Sequence, residues 1–471
     1  MAAEQSPAVL VARFLKANHY TNTLDAFLTE ANLDESRATT DRGDWTLEKL
    51  IEEKIQFDTS LNFERRDHDA NQGWTQPAPS VPREPELPIN ANVLCIKGND
   101  PPGQALAVST ANNTCHFVET KPPYAVLADQ TIRADGPILS TVFFATWFVA
   151  STTMSGKIMI HDLRTGQLLS EHRDHSKWVV YIACWEDAVE PTRVLLATAG
   201  WDQKINIYII QKTTTHNASN VELSQLGTPA GTVTLQSNPE SLVFVTNPDT
   251  KKLYLVASRR DSSFLFYYRI ESTQEPEEGL AIVPAGRQNL APHSNAWVAF
   301  TPSALALHPF DTTLLAVATS HLPHLKVIVV RLLFPDTSDA VRGVPPQTQA
   351  AMGRADLALQ DREDAAITLQ VSTRAPQTPY STPQIAWRPD GSGVWVNGDD
   401  GVIRGVEAKS GKVVALLKAH EIGSKVRTLW AGYLPGEGNQ KKEVVASGGF
   451  DKKVFIWEVD ETKAHTAAHS A

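Results

Sequence analysis

The chain has 471 residues, and its 43 Lys and Arg residues against 53 Asp and Glu residues give a formal net charge of −10. This balance disfavours a generally basic nucleic-acid-binding protein and a polybasic membrane anchor. An apolar content of 42% is too high for a disordered chain, and three widely spaced cysteines make neither a disulfide framework nor a paired-thiolate zinc site. Because the first residues lack the layout of a signal peptide and no apolar run is long enough to span a bilayer, we expect a protein of the cytoplasm or nucleus.

The composition changes twice along the chain. Residues 1–66 are rich in Ala, Leu, Glu and Lys at helical spacing, residues 67–88 contain five prolines, and the rest alternates short apolar strands with turns. We therefore predict a helical module over 1–66, a Pro-rich linker over 67–88, a β domain over 89–460 and a polar tail over 461–471.

The helical module begins with Ser6 and Pro7, a helix cap followed by a proline at the first helical position. The first helix carries an apolar stripe formed by Leu10, Val11, Phe14 and Leu15. The second helix carries Thr23, Leu24, Phe27 and Leu28 and closes near Glu30. A third helix is predicted over 45–63 with Asp44 as its cap. Two short helices cannot bury both stripes alone, so we expect this module to dimerise.

The run VARFLKANHYTNTLDAFLTE resembles the LisH motif, with Phe14, His19 and Leu24 standing where that family usually has Tyr, Gly and Ala. His19 is the largest departure, because the family's Gly supports a tight turn. The residues that match the family's spacing are Val11, Phe14, Leu15, Tyr20, Thr23, Phe27 and Glu30. The resemblance implies homodimerisation. The residues expected at that interface are Leu10, Val11, Phe14, Leu15, Tyr20, Thr23, Leu24 and Phe27.

Two segments of the β domain match each other closely, LLATAGWDQKINIYII from Leu195 and VVASGGFDKKVFIWEV from Val444, and each follows a segment containing a His. The pattern resembles the WD-repeat family, whose units form four-stranded propeller blades. The resemblance implies that a His, a Ser or Thr, an Asp and a terminal aromatic residue share a buried hydrogen-bond network. The first candidate set is His420, Ser447, Asp451 and Trp457. The second set is His175, Thr198, Asp202 and Tyr208, with Tyr in place of the usual Trp.

Five weaker copies start at Gln104, Ala145, Lys252, Thr313 and Gly391. Seven copies in all predict a mainly β fold, a seven-bladed β-propeller of WD-repeat type preceded by the small LisH module. We expect the chain before residue 90 to supply an outer strand to the blade that contains Trp457, because closure removes the open edge. The stretch 336–380 is predicted to be a loop around one strand, Ala365–Val371.

The sequence contains no GxxxxGK[ST], HExxH or GxSxG motif and no zinc-type ligand spacing, so we expect no cofactor and no metal. An enzyme with a site on the propeller axis is an alternative that no motif supports. Binding is the better-supported class, because propellers hold aromatic and Arg side chains on rigid loops. The candidate partner-binding residues are Arg173, Lys177, Trp178, Trp201, Arg259 and Arg260.

The segment VASTTMSGKIMIHDLR resembles the box by which some WD-repeat proteins dock a cullin-RING ubiquitin ligase adaptor. Asp162 and Arg164 match this box, whereas Ser155 replaces its Asp and His161 its Trp. We expect a non-catalytic scaffold that homodimerises through the LisH helices and recruits other proteins on the propeller rim. A ubiquitin ligase substrate receptor is the alternative, and neither membrane binding nor direct nucleic-acid binding is expected.

Overall fold

A computed structural model describes residues 6–40, 46–51, 74, 77–99, 105–187, 192–214, 221–272, 279–293, 300–335, 349–435 and 441–460. The chain divides into two compact units, Met1–Arg66 and Asp67–Ala471. We call the first the head and the second the propeller, and describe each by itself.

The head contains the helices α1 (Pro7–Ala17) and α2 (Thr21–Glu30) and a 3-10 turn (Glu35–Ala38). The predicted start of α1 is confirmed, because the Ser6 hydroxyl accepts a hydrogen bond from the Val9 N–H at 3.4 Å and Pro7 follows the cap. Its interior is one small apolar cluster formed by Ala12, Leu24, Leu28 and Ala38, with Leu15, Phe27 and Leu33 packed against it.

The turn between the two helices places His19 in the left-handed region, with a φ of 60°. The N–H of Tyr20 donates to the Leu15 carbonyl at 3.0 Å, which closes the end of α1. This is the position at which the LisH resemblance leads one to expect Gly. A non-glycine residue there costs on the order of 1 kcal/mol, so the short turn is retained at some expense in stability.

The predicted third helix lies only partly within the described residues. Residues 47–51 are helical, and the Thr46 hydroxyl accepts a hydrogen bond from the Lys49 N–H at 3.2 Å. Thr46 therefore caps the start of this helix, the role that we predicted for Asp44, and both Asp44 and residues 52–63 lie outside the described residues.

The propeller consists of seven antiparallel sheets, as predicted. Its first strand in the chain is β1 (Pro79–Arg83). Blade 1 contains β2 (Val93–Gly98), β3 (Leu106–Thr110), β4 (Thr114–Val118) and β5 (Ile132–Arg133). Blade 2 contains β6 (Ile138–Phe144), β7 (Phe148–Thr153), β8 (Ile158–Asp162) and β9 (Gln167–His172). Blade 3 contains β10 (Val179–Glu186), β11 (Arg193–Gly200), β12 (Lys204–Thr214), β13 (Val221–Leu223) and β14 (Gly231–Thr234).

The remaining four blades follow the same order. Blade 4 contains β15 (Pro239–Thr246), β16 (Leu253–Arg259), β17 (Phe264–Ser272) and β18 (Leu280–Asn289). Blade 5 contains β19 (Pro302–Leu307), β20 (Leu314–Thr319), β21 (His324–Arg331) and β22 (Ile367–Pro376). Blade 6 contains β23 (Ile385–Trp387), β24 (Gly393–Val396), β25 (Val402–Glu407) and β26 (Val413–Lys418). Blade 7 contains β27 (Val426–Pro435), β28 (Lys441–Gly449), β29 (Val454–Val459) and β1.

The ring closes where β1 pairs antiparallel with β29, with Pro82 opposite Trp457. The predicted closing strand is thus present. It lies inside the stretch 67–88 that composition alone assigned to a linker, so at least residues 79–83 belong to blade 7. Prolines are tolerated here because β1 is the outer strand of its sheet and needs hydrogen bonds on one side only.

The core is divided into seven clusters, one between each pair of neighbouring blades. The cluster between blades 1 and 7 is one example, in which Val93 and Val108 pack against Val444 and Ile456. Apolar side chains on both faces of each inner strand supply these clusters, which is why the middle strands are continuously apolar rather than alternating. The large buried core is therefore a ring of seven small interfaces.

The stretch between β21 and β22 corrects the sequence prediction. Residues 336–348 lie outside the described part, but an 18-residue helix, α3 (Gln349–Ala366), precedes β22 where a loop was expected. The helix has no apolar stripe, and Leu357 and Leu359 are exposed, so periodicity did not reveal it. Its last turn is fixed to blade 4, since the Glu363 carboxylate accepts a hydrogen bond from the Asn289 N–H at 2.7 Å.

Candidate partner-binding site

Strand order places two kinds of connection on the same side of the propeller. In four antiparallel strands, the turn between the second and third strands and the connection to the next blade emerge at the same end. We call this end the front face; it includes the turns 201–203 and 260–263 and the connections 173–178, 377–384 and 419–425. The opposite end is the back face.

Blade 7 holds its front-face turn with a continuous hydrogen-bond network. The Trp457 indole N–H donates to the Ser447 hydroxyl at 3.0 Å, Ser447 lies 2.9 Å from Nε2 of His420, and Nδ1 of His420 lies 2.9 Å from Asp451. The Asp451 carboxylate also accepts the backbone N–H groups of Glu421 and Lys453. The structure thus brings together all four residues of the first candidate set.

Blade 3 contains the same His, Asp and Thr arrangement, but its aromatic residue makes a different hydrogen bond. His175 lies 2.9 Å from Asp202 and 2.8 Å from Thr198. The Tyr208 hydroxyl, however, donates to Asp174 at 3.0 Å, outside the set. Asn206, which the sequence comparison did not single out, lies 3.3 Å from Nε2 of His175.

Both aspartates are held as carboxylates. Burial raises the pKa of Asp451, but the hydrogen bond from His420 and those from two backbone N–H groups outweigh it, so the pKa lies below the usual value. The pKa of Asp202 is lowered by the same balance. Gly449 and Gly200 precede the two aspartates, and a Cβ on either would collide with its network. These residues are structural, because they anchor the front-face turns from within.

The exposed part of the front face begins beside the blade 3 network. The rings of Trp178 and Trp201 are stacked, with centroids 4.8 Å apart, and Trp178 is 40% exposed. The guanidinium of Arg260 lies over the Trp201 ring at 4.6 Å and pairs with Glu240. We call Trp178, Trp201 and Arg260 the aromatic ledge. Three residues predicted separately from the sequence thus form one surface across blades 3 and 4.

The other predicted binding residues have different surroundings. Arg259 points away from the ledge, where its guanidinium lies over Phe266 at 4.7 Å and donates to Ser237 and Gln236, each at 3.0 Å. Adjacent residues of a strand face opposite ways, so the predicted arginine pair is divided between a structural and an exposed role. Arg173 and Lys177 are exposed in the connection that leads to Trp178.

Sequence reasoning missed further apolar side chains on the front face. Ile422 is 96% and Tyr380 88% exposed, and Leu322 and Phe450 are also exposed. They lie in front-face connections or turns of blades 5, 6 and 7. The signal available in the sequence was their position in short polar loops next to a Gly or Pro.

A channel of about 670 Å³ runs along the propeller axis. The first strands of all blades line it, and Trp201 and Arg260 of the ledge border it. Its front part contains Glu240, Asp261 and Arg427, and its back part contains Leu307 and Trp430 together with Lys97 and Arg388. The aromatic ledge is therefore continuous with the mouth of the channel.

The segment compared with the ligase box uses its matched residues internally. Arg164 donates to both carboxylate oxygens of Asp162, at 3.0 and 2.7 Å, and to the Val221 carbonyl at 3.1 Å, and its guanidinium lies over Phe148. The bond to Val221 ties blade 2 to blade 3. Such an arrangement is sufficient reason for an Asp-x-Arg sequence at the end of a strand.

The head places the predicted dimerisation residues in two environments. Leu24 is buried in the head's own interior, so it stabilises the head and is not available to a second chain. Tyr20 is 53% exposed, Thr23 is exposed, and the Phe14 and Tyr20 rings lie 6.4 Å apart. The remaining predicted interface residues are half-buried, namely Leu10, Val11, Phe14, Leu15 and Phe27.

Within the described ranges, no three His, Cys, Asp or Glu side chains are grouped so as to hold a metal ion. No helix among the described residues is long and apolar enough to cross a membrane.

A LisH-type head and a seven-bladed β-propeller define the class of this protein. Family models agree with this division: the UCP007778 LisH domain matches residues 7–33, and the UCP007778 beta-propeller domain matches residues 80–458. The chain belongs to the UCP007778 family. No curated protein matches it.

Proposed function

We propose that this protein is a non-catalytic scaffold that homodimerises through its head and recruits partner proteins on the front face of a WD-repeat-type propeller. The observation that carries the proposal is the aromatic ledge, where Trp178 is stacked and exposed beside Trp201 and Arg260. Trp and Arg dominate binding energies at protein interfaces because they bury large areas and form directional contacts. Here their orientation is fixed by stacking, so little conformational entropy is lost on binding.

The WD-repeat assignment rests on the networks of blades 3 and 7. Their task is to hold front-face turns rigid, which is what a binding surface carried on loops requires. Rigid turns under an exposed aromatic surface favour recognition of a protein partner over a purely architectural role. The locations that we propose are the cytoplasm and the nucleus.

The dimerisation half of the proposal rests on the half-buried stripe of α1. Leu10, Val11 and Phe14 keep part of their apolar surface exposed in the isolated head, and its interior is too small to make a stable unit alone. A dimer would present two ledges. A partner with two binding segments would then gain affinity, because the second contact forms within one complex.

The experiment is affinity purification with full-length Trp178→Ala protein, followed by identification of the captured proteins. Phe310→Ala is the matched control, since Phe310 is 73% exposed and lies in the connection between β19 and β20, on the back face. The proposal predicts that partners captured by the wild type are lost with Trp178→Ala and kept with Phe310→Ala. Equal capture by both variants would contradict recruitment on the front face.

A further inference from the structure

The axial channel contains an arginine whose charge the described chain leaves without a direct counterion. Arg427, in β27, lines the front part of the channel. Among the described residues, no side-chain hydrogen bond or ion pair reaches its guanidinium. Burial lowers the pKa of Arg427, and the Glu240 carboxylate acts against that shift. Glu240, however, is paired directly with Arg260.

A second arginine of the same channel shows what full compensation involves. Arg388 donates to the Glu443 carboxylate at 2.9 and 2.7 Å, to the Ser392 hydroxyl at 2.8 Å and to the Pro77 carbonyl at 2.8 Å. A buried guanidinium without such partners is costly. Since the chain supplies four hydrogen bonds and a paired carboxylate to Arg388, the exposure of Arg427 to an open cavity without any such partner indicates a partner supplied from outside.

The charges that face the front part of the channel favour an anionic group. Arg260 and Glu240 offset each other, and no ion pair between described side chains joins Asp261 to Arg427, so Arg427 is the cation of the front part that is left for an anionic ligand. A carboxylate is a suitable ligand, because it accepts two parallel hydrogen bonds from a guanidinium. In the proposed function, the partner also covers the ledge outside the mouth, where Trp178 stacks on Trp201. A short free anion cannot span both features, whereas a peptide segment can.

We propose that the mouth of the axial channel binds an extended segment of a partner protein and that an acidic side chain of this segment pairs with Arg427. This inference rests on the proposed function and specifies what the front face recognises. The acidic side chain enters the front part of the channel, and apolar residues next to it pack on Trp178 and Trp201. The pairing of Glu240 with Arg260 offsets one of the two carboxylates at the mouth, and the other, Asp261, lies in the exposed turn 260–263.

The test is selection of a phage-displayed library of random nine-residue peptides on the full-length protein. The expected peptides carry Asp or Glu at one common position beside apolar residues. Replacing that residue by its amide in a synthetic copy of a selected peptide weakens binding to the wild-type protein at least about tenfold. This arm needs no protein variant, so a folding defect cannot imitate the result.

The second arm exchanges the arginine. Arg427→Gln lowers the affinity for the acidic peptide at least about tenfold, and the Glu-to-Gln peptide binds Arg427→Gln and wild type equally. Arg331→Gln is the control, because Arg331 ends β21 on the back face and its pair with Asp311 is exposed. Peptides without a shared acid, undiminished binding after either exchange, or enrichment of no peptide would each overturn the inference. If partners were nevertheless captured by the wild type and lost with Trp178→Ala, the proposed function would still hold.

Discussion

Blades 3 and 7 contain the same three-residue core of His, Asp and Ser or Thr but end it differently. In blade 7 the Trp457 indole closes the network on Ser447. In blade 3 the Tyr208 hydroxyl turns to Asp174, and Asn206 moves in beside His175. Both solutions leave the front-face turn anchored by an aspartate that accepts backbone N–H groups. The requirement is therefore a satisfied buried His–Asp pair, and the identity of the terminal aromatic residue is secondary.

Replacing the aspartate tests this conclusion most strongly. Asp451→Ala leaves the buried Nδ1 of His420 without its partner and the backbone N–H groups of Glu421 and Lys453 without this acceptor, so we expect a loss of about 4 kcal/mol in the free energy of unfolding. Denaturant unfolding followed by Trp fluorescence measures it. Asp249→Ala, at an exposed back-face turn, is the control with a change below about 0.5 kcal/mol. Similar small effects for both variants would show that the network is dispensable.

Blade 2 extends this comparison, because its stability contribution at the corresponding position should depend on pH. Blade 2 has His161 near the position of Trp457 and Tyr208, and no described group bonds its buried Nδ1. Burial lowers the pKa of His161 to about 4. Because the unfolded chain takes up this proton from about pH 6.5 downward, stability falls as pH drops, by about 3 kcal/mol between pH 7 and pH 4.

The measurement is the unfolding free energy of wild type and His161→Phe across that pH range. The variant lacks the histidine, so its free energy of unfolding should fall by about 3 kcal/mol less than that of the wild type between pH 7 and pH 4. The pKa values of Asp202 and Asp451 are also lowered, so both proteins lose further stability as the pH falls through those values. Parallel curves would mean that His161 is not buried as a neutral group.

Replacing the aromatic residues that end the two networks should cost less stability than the changes above. Trp457→Phe loses a buried hydrogen bond and ring volume and costs about 2 kcal/mol, whereas Tyr208→Phe loses only the bond to half-buried Asp174 and costs about 1 kcal/mol. Unfolding midpoints of the two variants give the order directly. A larger cost for Tyr208→Phe would reverse our view of which network is self-contained.

The smallest change in stability is expected for a substitution in the aromatic ledge. Trp178→Ala removes a stacked but exposed ring, so the free energy of unfolding should change by less than about 0.5 kcal/mol. A thermal unfolding scan decides this. A substantial loss would assign Trp178 to blade packing, and its role as an available binding surface would fall.

Those features that depend on local pattern could be predicted from the sequence. Ser6 with Pro7 marks a helix start by backbone chemistry alone, and seven repeated turns set the number of blades. The closing strand follows from the need to remove an edge. Helix α3 was not predicted because its sequence has no apolar stripe, and the burial of Leu24 within the head could not be predicted because a stripe does not reveal which neighbour covers it.

The channel could not be predicted, because its polar groups come from strands far apart in the chain. Glu240 in blade 4 and Arg427 in blade 7 come within electrostatic range of each other only after the ring has closed. The divergence of Arg259 and Arg260 was within reach, since adjacent strand residues face opposite sides. The exposure of Ile422 and Tyr380 depends on how each loop leaves the ring, which composition does not determine.

Dimerisation through the head is the central claim, because it would join two propellers in one complex. Light scattering of the full-length chain should give twice 51.6 kDa. Phe14→Asp, which places a charge on the half-buried stripe of α1, should give 51.6 kDa, while Ala26→Asp at an exposed position of α2 should keep the dimer mass. A wild-type mass of 51.6 kDa would contradict the account.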